Sequence, residues 1–186
     1  MTNPTAPTEL DIDTLSGMVP VRQVVFSMGS NLGDRAGFLQ GALNALLSTP
    51  NLYPVDVSSV YETVPVGPVA DQPDFLNIVV RADSSLSSLV LLERAQAIED
   101  NFQRARETPG GPRTIDIDLI VVGSRIKTTP ELTLPHPRAR ERAFVLVPWL
   151  EIDPAAELPG IGRVAELMTG IDVSGVRRRG DLTVEL

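Results

Sequence analysis

Two aspartates separated by a single residue, Asp116 and Asp118, have the spacing most suggestive of chemistry in this chain. They lie in the stretch 114–123, which is rich in β-branched residues and follows a Gly-Pro loop, so it predicts a buried strand. Alternate residues of a strand share a face, so both carboxylates lie on one face, roughly 7 Å apart, opposite the apolar side chains. Two such charges beside an apolar strand are costly unless solvent, an arginine or a cation compensates them.

Of the groups that could compensate the two carboxylates, a divalent cation would say most about the function of the protein. Mg²⁺ uses one or two protein carboxylates and completes its octahedral shell with water and substrate phosphates. Arg113, three residues before Asp116, could hold a phosphate through two hydrogen bonds. An isolated Asp-x-Asp is more often the solvated face of an antiparallel strand, so the metal interpretation depends on neighbouring residues.

Arginines provide that support. They fall into two groups, one before the acidic pair (Arg104, Arg106 and Arg113) and one after it (Arg138, Arg140 and Arg142). In a chain of net charge −8, such local groups of arginine suit a polyphosphate. The overall acidity argues against general nucleic-acid binding, which needs a basic face.

Composition sets further limits. The 186 residues fit one domain, and the absence of cysteine removes disulfides and thiolate chemistry. No apolar run reaches the length of a membrane span. We expect a cytoplasmic protein with a flexible acidic leader at residues 1–20 and a single domain at 21–186.

The periodicity predicts four strands and two helices in the order β-α-β-β-α-β. The strands are expected at 21–28, 52–61, 75–82 and 114–123; Asp34 would cap the first helix, and Ser84 or Ser85 the second. This is an α+β, ferredoxin-like arrangement, an antiparallel sheet with both helices on one face. Two long loops, 62–74 and 103–112, would lie near the acidic pair.

The remaining segments carry weaker signals. Residues 164–168 predict a short helix, the tail around Arg177–Arg179 is poorly specified, and the region after residue 123 shows no evident core of its own. The turn 29–34 is better explained as a plain strand-to-helix connection than as a phosphate cradle. His136, the only histidine, could be a turn residue or an anion contact.

Phe75 and Phe144 could be core residues or could stack on a planar ring. Asn77 shares a strand face with Phe75, and its amide can both donate and accept hydrogen bonds toward the edge of a heterocycle.

Taken together, these pieces closely resemble the 6-hydroxymethyl-7,8-dihydropterin pyrophosphokinase family. The resemblance runs in order from about Val21 to Asp153. It is carried by five blocks: Ser27–Asp34, Tyr61–Thr63 with Pro65 and Gly67, Asp71–Asn77, Gly111–Leu119, and Leu134–His136 with Arg142–Leu146.

The resemblance implies transfer of a pyrophosphoryl group from ATP to the pterin hydroxymethyl group, with release of AMP, and two Mg²⁺ ions on Asp116 and Asp118. Separately, we expect the protein to be a monomer. The resemblance also implies the following site residues. The pterin would contact Thr63, Val66, Phe75, Asn77 and Phe144. ATP would contact Glu99, Arg104, Arg106, Arg113, His136 and Arg142, of which Arg104 and Arg113 would also support the reaction. The two long loops would close over both substrates.

One difference from the family concerns the second loop. The family often has a tryptophan just before the Gly-Pro-Arg block, where this chain has Gly110, and the loop is one residue shorter. Two alternatives remain open at this stage: a nucleotide-sugar transferase that holds a metal with Asp-x-Asp, and a non-catalytic ferredoxin-like binding module.

Overall fold

The computed structural model of the chain describes residues 20–66, 71–102 and 111–186. Its first part follows the predicted order. The elements are β1 (Arg22–Ser30), α1 (Arg35–Leu47), β2 (Leu52–Val57), β3 (Tyr61–Thr63), β4 (Phe75–Ser84), α2 (Ser88–Asn101) and β5 (Asp116–Val122). The predicted second strand is divided into β2 and β3. Ser58 explains the division, because its hydroxyl accepts from Val79 N at 2.9 Å where a strand carbonyl would otherwise do so.

The main sheet is antiparallel and also includes strand β10 (Val176–Arg178), near the end of the given sequence. The strand order is β10-β3-β4-β1-β5, with β2 also paired to β4. Helices α1 and α2 cover one face, where Leu39, Leu43 and Ile98 pack against the sheet in a continuous apolar cluster. The predicted ferredoxin-like fold is therefore confirmed.

The helix caps follow the sequence prediction at one helix and not at the other. Asp34 caps α1 by accepting from Gly37 N at 3.0 Å. The cap of α2 is Ser87, whose side chain accepts from Val90 N, so the prediction of Ser84 or Ser85 was wrong. Ser84 still belongs to β4, and its hydroxyl donates to Asn51 O at 2.7 Å.

The region after β5 contributes to both faces of the sheet: Leu132 and Leu134 join the apolar cluster beneath α1 and α2, whereas the part from Ala139 to Ile171 packs on the opposite face. Its elements are β6 (Lys127–Thr128), β7 (Thr133–Leu134), a 3-10 turn (Ala139–Glu141), α3 (Ala143–Ile152), β8 (Glu157–Leu158), β9 (Gly162–Arg163), α4 (Val164–Leu167) and a 3-10 turn (Met168–Gly170) before β10. Trp149 of α3 is buried there against sheet residues such as Val25 and Ile120. This segment thus completes a second core with the sheet, and α4 confirms the predicted short helix.

Strand β5 shows the predicted alternation at its start. Ile117 and Leu119 are buried beneath the helices, and Asp116 and Asp118 lie on the other face. A bulge between the pairs Val25–Val121 and Phe26–Leu119 then shifts the register. Both aspartates precede this bulge and lie at the N-terminal end of β5. Within the described ranges, no helix has the length and apolar character needed to cross a membrane.

Candidate active site

A cleft with an empty volume of about 540 Å³ opens over the face of β5 that carries the acidic pair. All five residues predicted to contact a pterin line it, together with both aspartates and two of the predicted arginines. These residues are Thr63, Val66, Phe75, Asn77, Phe144, Asp116, Asp118, Arg113 and Arg142. The structure therefore brings together side chains that are far apart in the sequence. Ser27, Gly29 and Val64 also line the cleft and were not predicted as site residues, and Arg138, predicted only as a member of the second arginine group, lines it too.

One wall of the cleft is polar and fixed. Asn77 Nδ2 donates to Thr63 Oγ1 at 2.7 Å, and both residues are buried. Gly29 lies opposite Asn77, and a Cβ at that position would be 2.7 Å from Asn77 Oδ1. A glycine is therefore required for this wall to form as it stands, and the amide is held where it can meet a ligand edge.

Two aromatic rings face the cleft, each below a guanidinium group. Arg113 Cζ lies 5.3 Å from the centre of the Phe75 ring, and Arg142 Cζ lies 5.4 Å from that of Phe144. Both rings are only partly buried and line the cavity, which favours the stacking alternative over a purely structural role.

The acidic pair is compensated by the same two arginines. Arg113 Nη1 lies 3.2 Å from Asp116 Oδ1, and Arg142 Nη1 donates to Asp118 Oδ2 at 2.6 Å. His136 Nε2 lies 3.8 Å from Asp118 Oδ1. Burial lowers the pKa of His136 in spite of the Asp118 carboxylate, so the imidazole is neutral at pH 7.

The donor set suits magnesium better than a transition metal. In the part of the chain that the structure describes, no group of three or more His, Cys, Asp or Glu side chains could enclose an ion. Two carboxylates beside an open cleft instead match Mg²⁺, whose remaining ligands are water and phosphate oxygens.

A second cavity, with an empty volume of about 630 Å³, lies on the other side of Asp118. Its wall combines residues of β5 with apolar, hydroxyl and carboxylate side chains of the β6–β7 segment. The lining residues are Leu92, Ile117, Asp118, Leu119, Thr129, Pro130, Glu131, Leu132, Thr133, His136 and Pro137. Asp118 therefore borders both cavities. Apart from Asp118 and His136, none of these residues was predicted as a site residue, because the segment 129–133 carries no recognisable motif.

Asn31 connects the segments around the first cleft and had no predicted role. Its side-chain oxygen accepts from Arg113 N at 2.8 Å, and its amide nitrogen donates to Gln72 Oε1 and Pro73 O at 3.2 and 3.1 Å. The backbone of Asn31 also donates to Arg113 O at 3.1 Å. These bonds fix the turn at 29–34 as a structural connection. Its position in the first resemblance block was the only sequence signal.

Comparison with known proteins places the chain in a family. The sequence model described as "7,8-dihydro-6-hydroxymethylpterin-pyrophosphokinase (HPPK)" matches residues 25–154. A curated relative from Pseudomonas aeruginosa, a "2-amino-4-hydroxy-6-hydroxymethyldihydropteridine pyrophosphokinase", is 37% identical over 158 residues, covering 85% of this chain and 97% of the relative. A protein of the same name from Mycobacterium leprae is 48% identical over 152 residues, covering 76% of this chain and 77% of the relative. The chain belongs to the HPPK family.

Solved structures agree with the HPPK fold. A crystal structure of wild-type Plasmodium falciparum HPPK-DHPS with pterin and p-hydroxybenzoate matches with a TM-score of 0.62 at 15% identity, covering 83% of this chain. The same protein with pteroate matches with a TM-score of 0.63 at 14% identity, covering 81% of this chain. This chain covers 44% and 42% of those longer chains. At these identities the likeness confirms the fold alone.

For Arg104, Arg106 and Glu99, the ATP contacts implied by the resemblance stay predictions. Arg104 and Arg106 fall outside the described residues, so their roles stay predictions. Glu99 is buried behind β5, where its Oε1 accepts from Ile117 N at 2.7 Å. This carboxylate holds the strand between the two aspartates, and its predicted contact with ATP stays a prediction.

Proposed function

We propose that this chain transfers a pyrophosphoryl group from ATP to the hydroxymethyl group of 6-hydroxymethyl-7,8-dihydropterin, giving the pterin diphosphate and AMP. The observation that carries the proposal is the position of Asp118, which borders both an aromatic cleft and a second cavity. A reaction between two bound substrates needs such adjacent sites with a charged centre at their boundary.

The aromatic cleft suits the pterin. Phe75 and Phe144 offer ring faces for stacking, and the Asn77–Thr63 pair offers hydrogen-bonding groups for the edge of the heterocycle. Val66 also lines this cleft, where its backbone could read the remaining edge. A flat heterocycle with donors and acceptors on its edge matches these groups.

The second cavity suits the nucleotide. Its leucines can cover a purine ring, while Thr133 and His136 supply polar contacts near Asp118. Arg113 and Arg142 contact Asp116 and Asp118 from the first cleft. When ATP binds, the two guanidinium groups could donate to phosphate oxygens in place of the aspartates. Arg104, Arg106 and Glu99 complete the proposed nucleotide contacts on the strength of the resemblance.

Asp116 and Asp118 are the residues that would hold Mg²⁺, and we propose two ions. When bound, the ions would neutralise phosphate charge and acidify the attacking hydroxyl group. The protein's own contribution is positioning: the rings and Asn77 orient the hydroxymethyl group, and the arginines orient the phosphates. The hydroxymethyl oxygen bonds to the β-phosphorus, the bond from that phosphorus to the α-phosphate bridging oxygen breaks, AMP leaves, and the hydroxyl proton is released.

The products distinguish this reaction from its alternatives. ATP, Mg²⁺ and 6-hydroxymethyl-7,8-dihydropterin should yield AMP and pterin diphosphate in a one-to-one ratio by mass spectrometry. ADP with a pterin monophosphate would indicate an ordinary kinase and would contradict the proposal, as would the absence of any reaction. A nucleotide-sugar transferase would instead consume a nucleotide diphosphate sugar. The fold and family membership disfavour that alternative.

We also infer that the enzyme works as a cytoplasmic monomer and binds neither nucleic acid nor membrane. The net charge of −8 disfavours polyanionic partners such as nucleic acid. Sedimentation velocity should give a single species near the mass of 20.1 kDa. A larger species at micromolar concentration would contradict the monomer.

A further inference from the structure

The last strand of the main sheet is attached directly to the wall of the aromatic cleft. Val176 of β10 pairs with Thr63 of β3, and Val64 N donates to Gly175 O at 3.2 Å. Thr63 and Val64 both line the cleft. Strand β10 lies beyond residue 154, where the family match ends, so the resemblance assigned it no function.

A buried carboxylate fastens this strand. Glu62 is only 9% exposed, yet three arginines surround it. Arg35 Nη1 and Arg179 Nη1 each lie 3.1 Å from its Oε1, and Arg177 donates to its Oε2. Burial alone would raise the pKa of Glu62, but the hydrogen bonds from Arg177 and Arg35, together with the charge of Arg179, outweigh burial and lower it.

The same network reaches the neighbouring strand β4, whose Phe75 pairs with Thr63. Arg35 Nη1 also donates to Asp74 O at 2.6 Å, immediately before Phe75. Glu62 itself precedes Thr63. One ionic cluster therefore connects Asp74, which precedes the Phe75 ring, with Glu62, which precedes Thr63. Thr63 in turn accepts the hydrogen bond from Asn77.

We propose that Arg177 and Arg179 are positioning residues for the pterin subsite: by compensating Glu62 they hold β3, and with it Thr63 and Val64, in the geometry that accepts the heterocycle. This inference rests on the proposed function of the cleft. Without the two arginines, Glu62 would be a buried carboxylate with fewer cationic partners, a costly arrangement that relaxes when the strand moves toward solvent.

Strand β10 supplies a matched control. Arg178 lies between the two arginines, and its side-chain exposure of 66% is close to the 73% of Arg177; Arg179 is 23% exposed and also pairs with Asp181. Arg178 Nε donates to Ser59 Oγ at 2.9 Å and its Nη2 lies 3.6 Å from Glu151 Oε1, on the other face of the strand. Removing Arg178 therefore changes the charge and length of the side chain without touching Glu62.

The test compares Arg177→Ala/Arg179→Ala with Arg178→Ala in the full chain. Fluorescence titration would give the Kd of 6-hydroxymethylpterin, calorimetry would give the Kd of a non-hydrolysable ATP analogue with Mg²⁺, and the Tm would be measured for each variant. We expect the double variant to raise the pterin Kd about tenfold, the size of one lost hydrogen bond to a charged group, with the nucleotide Kd unchanged. Arg177→Lys should retain most of the pterin affinity, because it keeps the charge.

The other outcomes overturn the inference. A pterin Kd unchanged in the double variant, or raised equally by Arg178→Ala, would show that contact with Glu62 does not matter. A parallel rise of both Kd values with a lower Tm would indicate general destabilisation. If the wild type fails to bind the pterin at all, the proposed function itself fails, and this inference fails with it.

Discussion

Adding one methyl group at Gly29 should damage the aromatic cleft, which we propose binds the pterin, and leave the second cavity, proposed for the nucleotide, unaffected. The new Cβ would be 2.7 Å from Asn77 Oδ1 and 3.5 Å from Phe75 Cδ1. The first distance is too short for any stable contact, so Asn77 must move. Asn77 is buried and bonded to Thr63, and therefore has little room to do so without disturbing the wall of the cleft.

The size of the effect follows from the two ways in which the clash can be relieved. If the neighbours shift together, overpacking costs about 1–3 kcal/mol. If Asn77 rotates away, the lost bond to Thr63 costs about 1 kcal/mol, and the pterin loses its amide partner. The overpacking cost lowers the free energy of unfolding, whereas the lost amide contact, about 1 kcal/mol, raises the Kd of the pterin by about fivefold.

Fluorescence titration of 6-hydroxymethylpterin measures this change directly. Gly170→Ala is the control, because a Cβ there meets no atom within 4 Å and the residue is exposed. The control should bind the pterin like the wild type, and both variants should bind an ATP analogue normally. Unchanged pterin affinity in Gly29→Ala would refute the role given to Asn77, since the clash cannot be avoided without moving it.

Three further predictions concern the walls of the cleft and its supports. Phe144→Ala should weaken pterin binding about tenfold or more through lost stacking, with little change for ATP in parallel calorimetric titrations; an equal loss for both would contradict stacking. Asn31→Ala should lower kcat/KM by about tenfold or more in steady-state assays, because it releases Arg113 and the loop before Phe75; wild-type kinetics would show that these bonds do not order the site. Glu62→Gln should make the free energy of unfolding less dependent on pH below pH 5. The pKa of Glu62 is lowered in the folded state, so its stabilisation is present above the ordinary value of 4.5 and is lost as pH falls through the folded-state pKa. Denaturant titrations below pH 5 that gave parallel curves for both proteins would argue against this ionic cluster.

The sequence predicted best those features that depend on local spacing. The two faces of β5 follow from strand alternation, and Asp34 caps α1 because an aspartate before an apolar helical stripe acts locally. The family blocks identified the cleft residues Phe75, Asn77 and Phe144, which meet only through the topology of the sheet.

The features that the sequence did not predict depend on distant partners. Strand β10 pairs with β3 across more than a hundred residues, and no local pattern in Val176–Arg178 distinguishes it from a solvated tail. The cap of α2 lies at Ser87 because Ser84 is retained in β4 by its bond to Asn51 O. The second cavity needs the segment 129–133 placed beside β5, and its residues carry no chemical signature alone.

Turnover of Asp118→Asn tests most directly whether the acidic pair at the boundary of the two cavities drives the reaction. Pterin-dependent AMP release would be followed in the wild type and the variant, with the Tm and the Kd of the pterin alone as controls for folding and for the cleft. We predict a loss of at least about 10³-fold in turnover, the order expected when electrostatic stabilisation of the transferring group is removed, with the Tm and pterin Kd close to those of the wild type. Near-normal turnover in the folded variant would contradict the proposed role of Asp118.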